Sequence, residues 1–303
     1  MKTLKQNKKS ESNVFLKELS TCSLETNTHL LKLLPNHDRE KLFEAINYVI
    51  FSGGKRFRAF LTLQSAKLFD IPKERALQTA SAIELIHAYS LVHDDLPSMD
   101  DDNMRRGKPT VHVKWDEATA ILVGDCLQAF AYEILCRDST HPDTAIRIKL
   151  IKNLTVAAGF NGMVLGQAKD LEAEKASNKL SLEEILELQK LKTGALFKWS
   201  VESSCILAEA NSTALCKYAE AIGLAFQIKD DLLDLEGSIN DTGKRVGKDH
   251  KAGKATLVSL LGIDEAKKRT QQLCEEACDA LNSFGVKANL LKAAARFNIE
   301  RGF

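Results

Sequence analysis

Residues Ala76–Asp95 read ALQTASAIELIHAYSLVHDD, and Ala214–Gly237 read ALCKYAEAIGLAFQIKDDLLDLEG. Each is apolar nearly all round at helical spacing until it meets a pair of aspartates. A helix of that kind is normally buried on every side, so these two are expected at the centre of the fold. Around them, Arg39–Gly54 (REKLFEAINYVIFSGG) and Ser181–Ala210 (SLEEILELQKLKTGALFKWSVESSCILAEA) carry apolar residues at three-to-four spacing, and Gly53-Gly54 gives the first of these helices a stop. Only 5 prolines and 16 glycines interrupt 303 residues, and no convincing strand pattern appears. The reading is one all-α domain, a bundle of long helices over 13–303, after a frayed tail at 1–12. No interdomain linker is visible.

Composition limits the function classes. Lys plus Arg total 42 and Asp plus Glu 41, a net charge of +1, so no global field favours nucleic acid or an anionic membrane. The 7 cysteines are scattered without a C-x-x-C, which fits reduced thiols in a cytoplasmic protein better than a disulfide framework. The lysine-containing start lacks the apolar stretch of a secretory signal, and no run approaches the ~20 apolar residues of a membrane helix. Stable membrane insertion is not expected.

The charge that matters is local. His93–Gly107 reads HDDLPSMDDDNMRRG, with Asp94, Asp95, Asp100, Asp101 and Asp102 followed by Arg105 and Arg106. Pro97 disturbs the helix after the first pair and turns the chain back toward Asp100. In the second motif, Asp230 and Asp234 are four apart and share a helix face, with Asp231 beside them. Carboxylates at the end of an apolar helix cost free energy unless a cation or strong donors compensate. If the two helices lie side by side, their aspartates form an oxygen-only cage. Such donors suit Mg2+, which takes one or two carboxylates and completes its octahedron with water and substrate phosphate. A phosphorylated substrate is therefore expected.

Basic residues match that substrate. GGKRFR (53–58) places Lys55 and Arg58 on one face of a helix start, Arg105 and Arg106 follow the first motif, and DTGKRVGKDHKAGKAT (241–256) follows the second. Arginine binds phosphate oxygens through its planar fork, and lysine as a mobile point charge. Taken alone, an aspartate cluster is more often a solvated loop, His87 a satisfied core histidine, and Gln227 a buried amide. The apolar helices leading into both clusters reverse the first of these preferences. An EF-hand is excluded because Met104 stands where a ligand is required and the loop glycine and distal glutamate are absent.

With these residues in view, the chain resembles the trans-type short-chain polyprenyl diphosphate synthases, most of all the bacterial farnesyl diphosphate synthases. The matching landmarks are GGKRFR, ELIHAYSLVHDDLPSMDDDNMRRGKPTVH, AILVGDCLQAFA, GMVLGQAKDLEAE, LQKLKTGALF, GLAFQIKDDLLDLEG and TGKRVGKD…GKAT, in family order over about residues 50 to 260. The resemblance implies a helical bundle around a deep cavity, and a homodimer. It implies that Asp94, Asp100 and Asp230 hold Mg2+ ions, about three per site, against an allylic diphosphate, with Asp95, Asp231 and Asp234 as subsidiary ligands or orienters. Arg105, Lys192, Thr193, Gln227, Lys244 and Lys254 match positions around the allylic substrate. Lys55, Arg58, His87 and Arg106 match the isopentenyl diphosphate pocket. Two features depart from the commonest pattern: Ala59 stands where the family usually has proline, and four residues separate Asp95 from Asp100, the longer form found in bacterial enzymes.

The chemistry then follows from the charges. Isopentenyl diphosphate is expected to attack the allylic cation left when dimethylallyl or geranyl diphosphate ionises, and the departing diphosphate to remove the proton. Lys192, Thr193 and Gln227 would steady the cation. Tyr89 lies five residues before Asp94, about 7.5 Å away along a helix at ~1.5 Å per residue. Its ring, with Ser90 next to it, is expected to stop the growing chain at fifteen carbons rather than twenty. A terpene cyclase would need no isopentenyl diphosphate pocket, a histidine-ligated phosphohydrolase would need further histidines in pattern, and a non-catalytic subunit would not need both motifs intact.

Overall fold

The computed structural model describes residues 2–35, 40–175, 180–236 and 256–300. Its helices run in the order α1 (Lys2–Leu33), α2 (Lys41–Phe51), α3 (Phe57–Leu68) and α4 (Lys73–Asp94). A small hairpin of β1 (Met104–Arg105) and β2 (Lys108–Pro109) follows. Then come α5 (Val111–Lys114), α6 (Glu117–Cys136), α7 (Thr144–Ala158), α8 (Met163–Lys175) and α9 (Leu182–Gln189). A π-helical turn (Lys190–Gly194) joins α9 to α10 (Ala195–Leu207), which precedes α11 (Thr213–Glu236). The chain closes with α12 (Leu257–Leu261), α13 (Ile263–Ala280), a 3-10 segment (Asn282–Ala288) and α14 (Asn289–Glu300). The fold is all-α, as expected.

Helix boundaries follow local chemistry. Asp116 accepts the Thr119 N–H at 2.7 Å at the start of α6, and Ser181 and Glu184 form a reciprocal capping box at the start of α9. Gly53 and Gly54, at φ 97° and 118°, lie beyond the end of α2 as predicted. α1 is helical from Lys2, and its first dozen residues hold no glycine or proline to break the helix.

The two all-apolar helices are central. In α4, burial extends from Ala76 to Val92, and α11 buries Leu215, Tyr218, Ile222, Ala225, Ile228 and Leu232. A third buried helix, α3, joins them, and even its polar Thr62, Gln64 and Ser65 are enclosed. α4 packs on α3 and α6, α10 bridges α3 and α11, and α13 backs α11. Contrary to the sequence reading, α6 has the length and apolar content of a membrane span. Its apolar side has another use: Ala120, Val123, Leu127, Ala131 and Ile134 are buried in the core cluster that also holds α4. A Cβ on Gly124 would lie 2.0 Å from the His93 ring, so the glycine is what lets α6 come this close to α4.

Candidate active site

α4 ends at Asp94, and the chain folds back on that end. Asp100 N–H donates to the Asp94 carbonyl at 2.9 Å, Asp101 N–H to Leu96 at 3.1 Å and Asp102 N–H to Asp95 at 3.2 Å. These bonds occupy carbonyls that a helix end leaves without partners, and they bring Asp100 beside Asp94. The hairpin after them turns on Arg106 and Gly107, at φ 52° and 73°, the left-handed pair of a tight two-residue turn. Arg106 thereby crosses the Gly53-Gly54 turn and donates to the Gly53 carbonyl. A Cβ on Gly54 would lie 2.7 Å from the Arg106 guanidinium. Gly54 thus makes room for a cation that the Gly53 carbonyl holds.

Between α4, α8, the π turn, α10 and α11 lies a cavity of about 640 Å3. Asp94, Asp100 and Asp230 line it, as do Arg58, His87, Arg105, Arg106, Lys192, Thr193, Gln227, Tyr89 and Ser90. The structure therefore brings most of the sequence candidates to one place. Among the described candidates, the subsidiary aspartates Asp95, Asp231 and Asp234 do not line it, and neither does Lys55. Lys55 is exposed, precedes α3 instead of starting it, and holds its ammonium 5.4 Å from the Phe297 ring centre. The reason is the left-handed backbone at Arg56, φ 50°, which delays the helix to Phe57. Lys244 and Lys254 lie outside the described residues.

The carboxylates occupy one cavity, but among the described residues no three acidic, histidine or cysteine side chains converge as a cage. The expected cage is thus corrected to separated carboxylates, because α4 and α11 face each other across the cavity and do not pack side by side. Burial raises the Asp94 pKa to about 6, with Lys192 opposing the rise and Asp100 adding to it. An all-oxygen set of this kind, held at a charge penalty that a cation would relieve, fits Mg2+ bound largely through water and phosphate.

The cationic side is organised by named partners. Arg105 grips Asp95 with both edges, Nε to Oδ1 and Oδ2 at 2.8 and 2.9 Å and Nη2 to Oδ1 at 2.6 Å. Burial opposes the Arg105 charge, but the Asp95 hydrogen bonds and charge outweigh it and hold its pKa above the ordinary value. Arg58 stands 5.0 Å over the Phe197 ring, and its Nε is buried with no hydrogen-bond partner. Burial draws the Arg58 pKa down to about 10, against the pull of Glu84 and Asp230. Burial first, and then Arg58, Arg106, Arg105 and Arg56, push the His87 pKa well below its usual value, so His87 is neutral. A buried donor without a partner beside a neutral histidine is a place for an anion.

Lys192 and Thr193 sit on the π turn, a helix distortion often found at functional sites. Gly166 makes room for it: a Cβ there would lie 2.3 Å from the Lys192 nitrogen. The Lys192 ammonium meets Asp170 at 2.6 Å, and Gln227 Nε2 donates to Gln189 Oε1 at 2.7 Å. The sequence reading gave no role to Asp170, Gln167, Leu171 or Phe226. The first three fall on the Gly166–Leu171 stretch of α8, and a signal was present in their three- and four-residue spacing beyond the crossing glycine.

Comparison with known proteins agrees with this geometry. Residues 39–293 match the family model described as polyprenyl synthetase. The chain is 43% identical over 265 residues to a farnesyl diphosphate synthase of Haemophilus influenzae, covering 86% of this chain and 88% of that one. It is 39% identical over 298 residues to the farnesyl diphosphate synthase of Escherichia coli, covering 95% and 99% respectively. A solved structure of an FPP/GFPP synthase from Zymomonas mobilis superposes with a TM-score of 0.86 at 41% identity, over 95% of this chain and 99% of that one. With the motifs, the helical bundle and these matches in agreement, the chain belongs to the polyprenyl synthetase family.

Proposed function

We propose that this chain is a prenyltransferase that joins isopentenyl diphosphate to dimethylallyl diphosphate and then to geranyl diphosphate, yielding farnesyl diphosphate and releasing diphosphate at each step. The observation that carries the reading is a single cavity presenting carboxylates at Asp94, Asp100 and Asp230 beside cations at Arg58, Arg105, Arg106 and Lys192. The names of the relatives support the same activity.

The three aspartates would hold Mg2+, and bound Mg2+ would supply positive charge to the diphosphate that leaves. Arg105 and Lys192 bind the allylic diphosphate, so that the C1–O bond breaks with its electron pair passing to oxygens these two cations neutralise. Thr193 and Gln227 turn side-chain oxygens toward the allylic cation. Arg58, Arg106 and neutral His87 hold isopentenyl diphosphate, whose double bond gives its electrons to C1. The new cation loses a proton to the departed diphosphate, and no side-chain base is required. Apolar side chains such as Met163, Leu171 and Phe226 exclude water that would quench the cation.

A homodimer in the cytoplasm completes the proposal. Ile121 and Leu122 on α6, Ile148 and Val156 on α7, and Phe160, which is 83% exposed, give the α6–α7 side an apolar surface for a second copy. The deciding experiment incubates the purified chain with Mg2+, isopentenyl diphosphate and either allylic starter, then identifies the dephosphorylated alcohols. Farnesol is the expected product. Geranylgeraniol would overturn the chain length, and absence of elongation by a folded protein would overturn the activity.

A further inference from the structure

Behind the pocket assigned to isopentenyl diphosphate lies an ion pair to which the mechanism gives no part. Arg56 and Glu84 meet at 3.3 Å, and their side chains are only 4% and 3% exposed. Neither lines the main cavity. Both line a small pocket of about 50 Å3 that His87, Arg105 and Arg106 close from the other side. Whatever the pair does for substrate, it does through these neighbours.

The pair ties four helices to one turn. Arg56 has a left-handed backbone, φ 50°, which a side chain larger than glycine adopts only when its surroundings hold it there. Its guanidinium donates to Glu84 Oε2 on α4, to Asn27 Oδ1 on α1 at 3.0 Å, and to the Ile50 carbonyl on α2. The other Glu84 oxygen accepts the Ala59 N–H at 2.9 Å, in the first turn of α3. Arg56, which precedes α3, offers that turn no side-chain cap, so Glu84 supplies the missing acceptor from a different helix. A proline at position 59 would have no N–H to give. Alanine makes the link possible in this chain.

The anchored turn carries the anion-binding groups. Arg58 follows Arg56 by two residues, Arg106 is bound to the Gly53 carbonyl, and His87 lies one turn along α4 from Glu84. Relative movement of the 53–58 turn and α4 would separate Arg58 and Arg106 from His87. We propose that Glu84 and Arg56 are positioning residues that fix this turn on α4 at the spacing where Arg58, Arg106 and His87 close on one diphosphate. The inference rests on the prenyltransfer reading and adds to it a determinant of isopentenyl diphosphate affinity. Glu84 also favours the charged forms of Arg58 and Arg106, which burial disfavours.

A merely structural pair would behave differently. A buried ion pair can be replaced by apolar residues of similar size with little loss of stability. The test therefore compares wild type with the double variant Arg56→Met/Glu84→Leu by thermal melting and by separate KM values for isopentenyl and geranyl diphosphate. Wild-type consumption of isopentenyl diphosphate is measured first, so failure of the functional reading is seen before any variant is made. The expected result is a folded variant whose KM for isopentenyl diphosphate rises about tenfold or more while that for geranyl diphosphate stays within about twofold. Arg56→Lys, which keeps the charge but loses the fork, should raise the same KM by a smaller factor. An unchanged KM for isopentenyl diphosphate in the folded double variant, or a parallel rise for both substrates, overturns the proposal. If the double variant does not fold, the same split in Arg56→Lys decides.

Discussion

Arg105 holds Asp95 through three contacts of 2.6–2.9 Å, although the sequence assigns the first residue to substrate and the second to metal. The pair links the two ends of the first motif: Asp95 caps α4 and Arg105 opens the hairpin. Asp95 is 4% exposed, so the grip is formed inside the protein and not at its surface. The carboxylate thereby holds the guanidinium in the cavity wall.

Asp95→Asn should release Arg105 from its bidentate hold. Allylic substrate would then bind in a wider range of poses, and a misplacement of about 1 Å can cost roughly 100-fold in rate. Steady-state kinetics should show kcat/KM for geranyl diphosphate falling by about that factor, with a smaller change in KM for isopentenyl diphosphate. Equal losses for both substrates would show that the pair serves the fold as a whole.

Gly166→Ala tests the close crossing of α8 and the π turn. The added methyl would meet backbone at 2.3 Å, and backbone cannot swing aside as a side-chain end can. Either α8 or Lys192 and Thr193 must move. A helical circular dichroism spectrum with activity reduced by about 100-fold is expected, since the displaced residues line the cavity proposed to hold the substrates. Normal activity would mean that the π turn can shift without consequence.

Much of this was legible in the sequence, for reasons that differ by element. Burial of α4 and α11 followed from apolar residues on every face, a pattern few other environments tolerate. That Asp94, Asp100 and Asp230 line one cavity followed from aspartates placed at the ends of two such helices. The path between helices was not legible. Arg56 in a left-handed conformation, which takes Lys55 off α3, and the Arg105–Asp95 grip both depend on contacts between segments distant in sequence or on a turn without a distinctive composition. The separation of the carboxylates likewise depends on the cavity that keeps α4 and α11 apart, and residue spacing within each helix carries no information about that.

The raised Asp94 pKa gives a pH dependence with a definite sign. Its folded value, about 6, exceeds the ordinary aspartate value of 3.8, so the folded protein binds the proton more tightly than the unfolded chain. The stability this contributes is present below the unfolded pKa and is lost as pH rises through the folded one. In chelator, the melting temperature of wild type relative to Asp94→Asn should therefore fall between about pH 4 and pH 6. Stabilisation by Mg2+ with inorganic diphosphate should grow over the same interval, because the cation requires the ionised carboxylate. A pH-independent difference between wild type and Asp94→Asn would show that Asp94 does not titrate there.

Tyr89 supplies the test of product length. It is 5% exposed and lines the cavity five residues before Asp94 on the same helix, with its ring 5.8 Å from that of His93. A chain growing from a diphosphate held at Asp94 and extending along α4 meets this ring. Shrinking the side chain opens room in that direction, whereas Ser90, already small, leaves little to remove. Tyr89→Ala is therefore expected to yield geranylgeranyl diphosphate or longer products in place of most of the farnesyl diphosphate, seen by chromatography of the dephosphorylated alcohols. Tyr89→Phe keeps the ring and should keep the wild-type product. If both variants give only the wild-type product, the stop lies elsewhere in the cavity. If both lengthen it, the phenol oxygen rather than the bulk of the ring sets the limit.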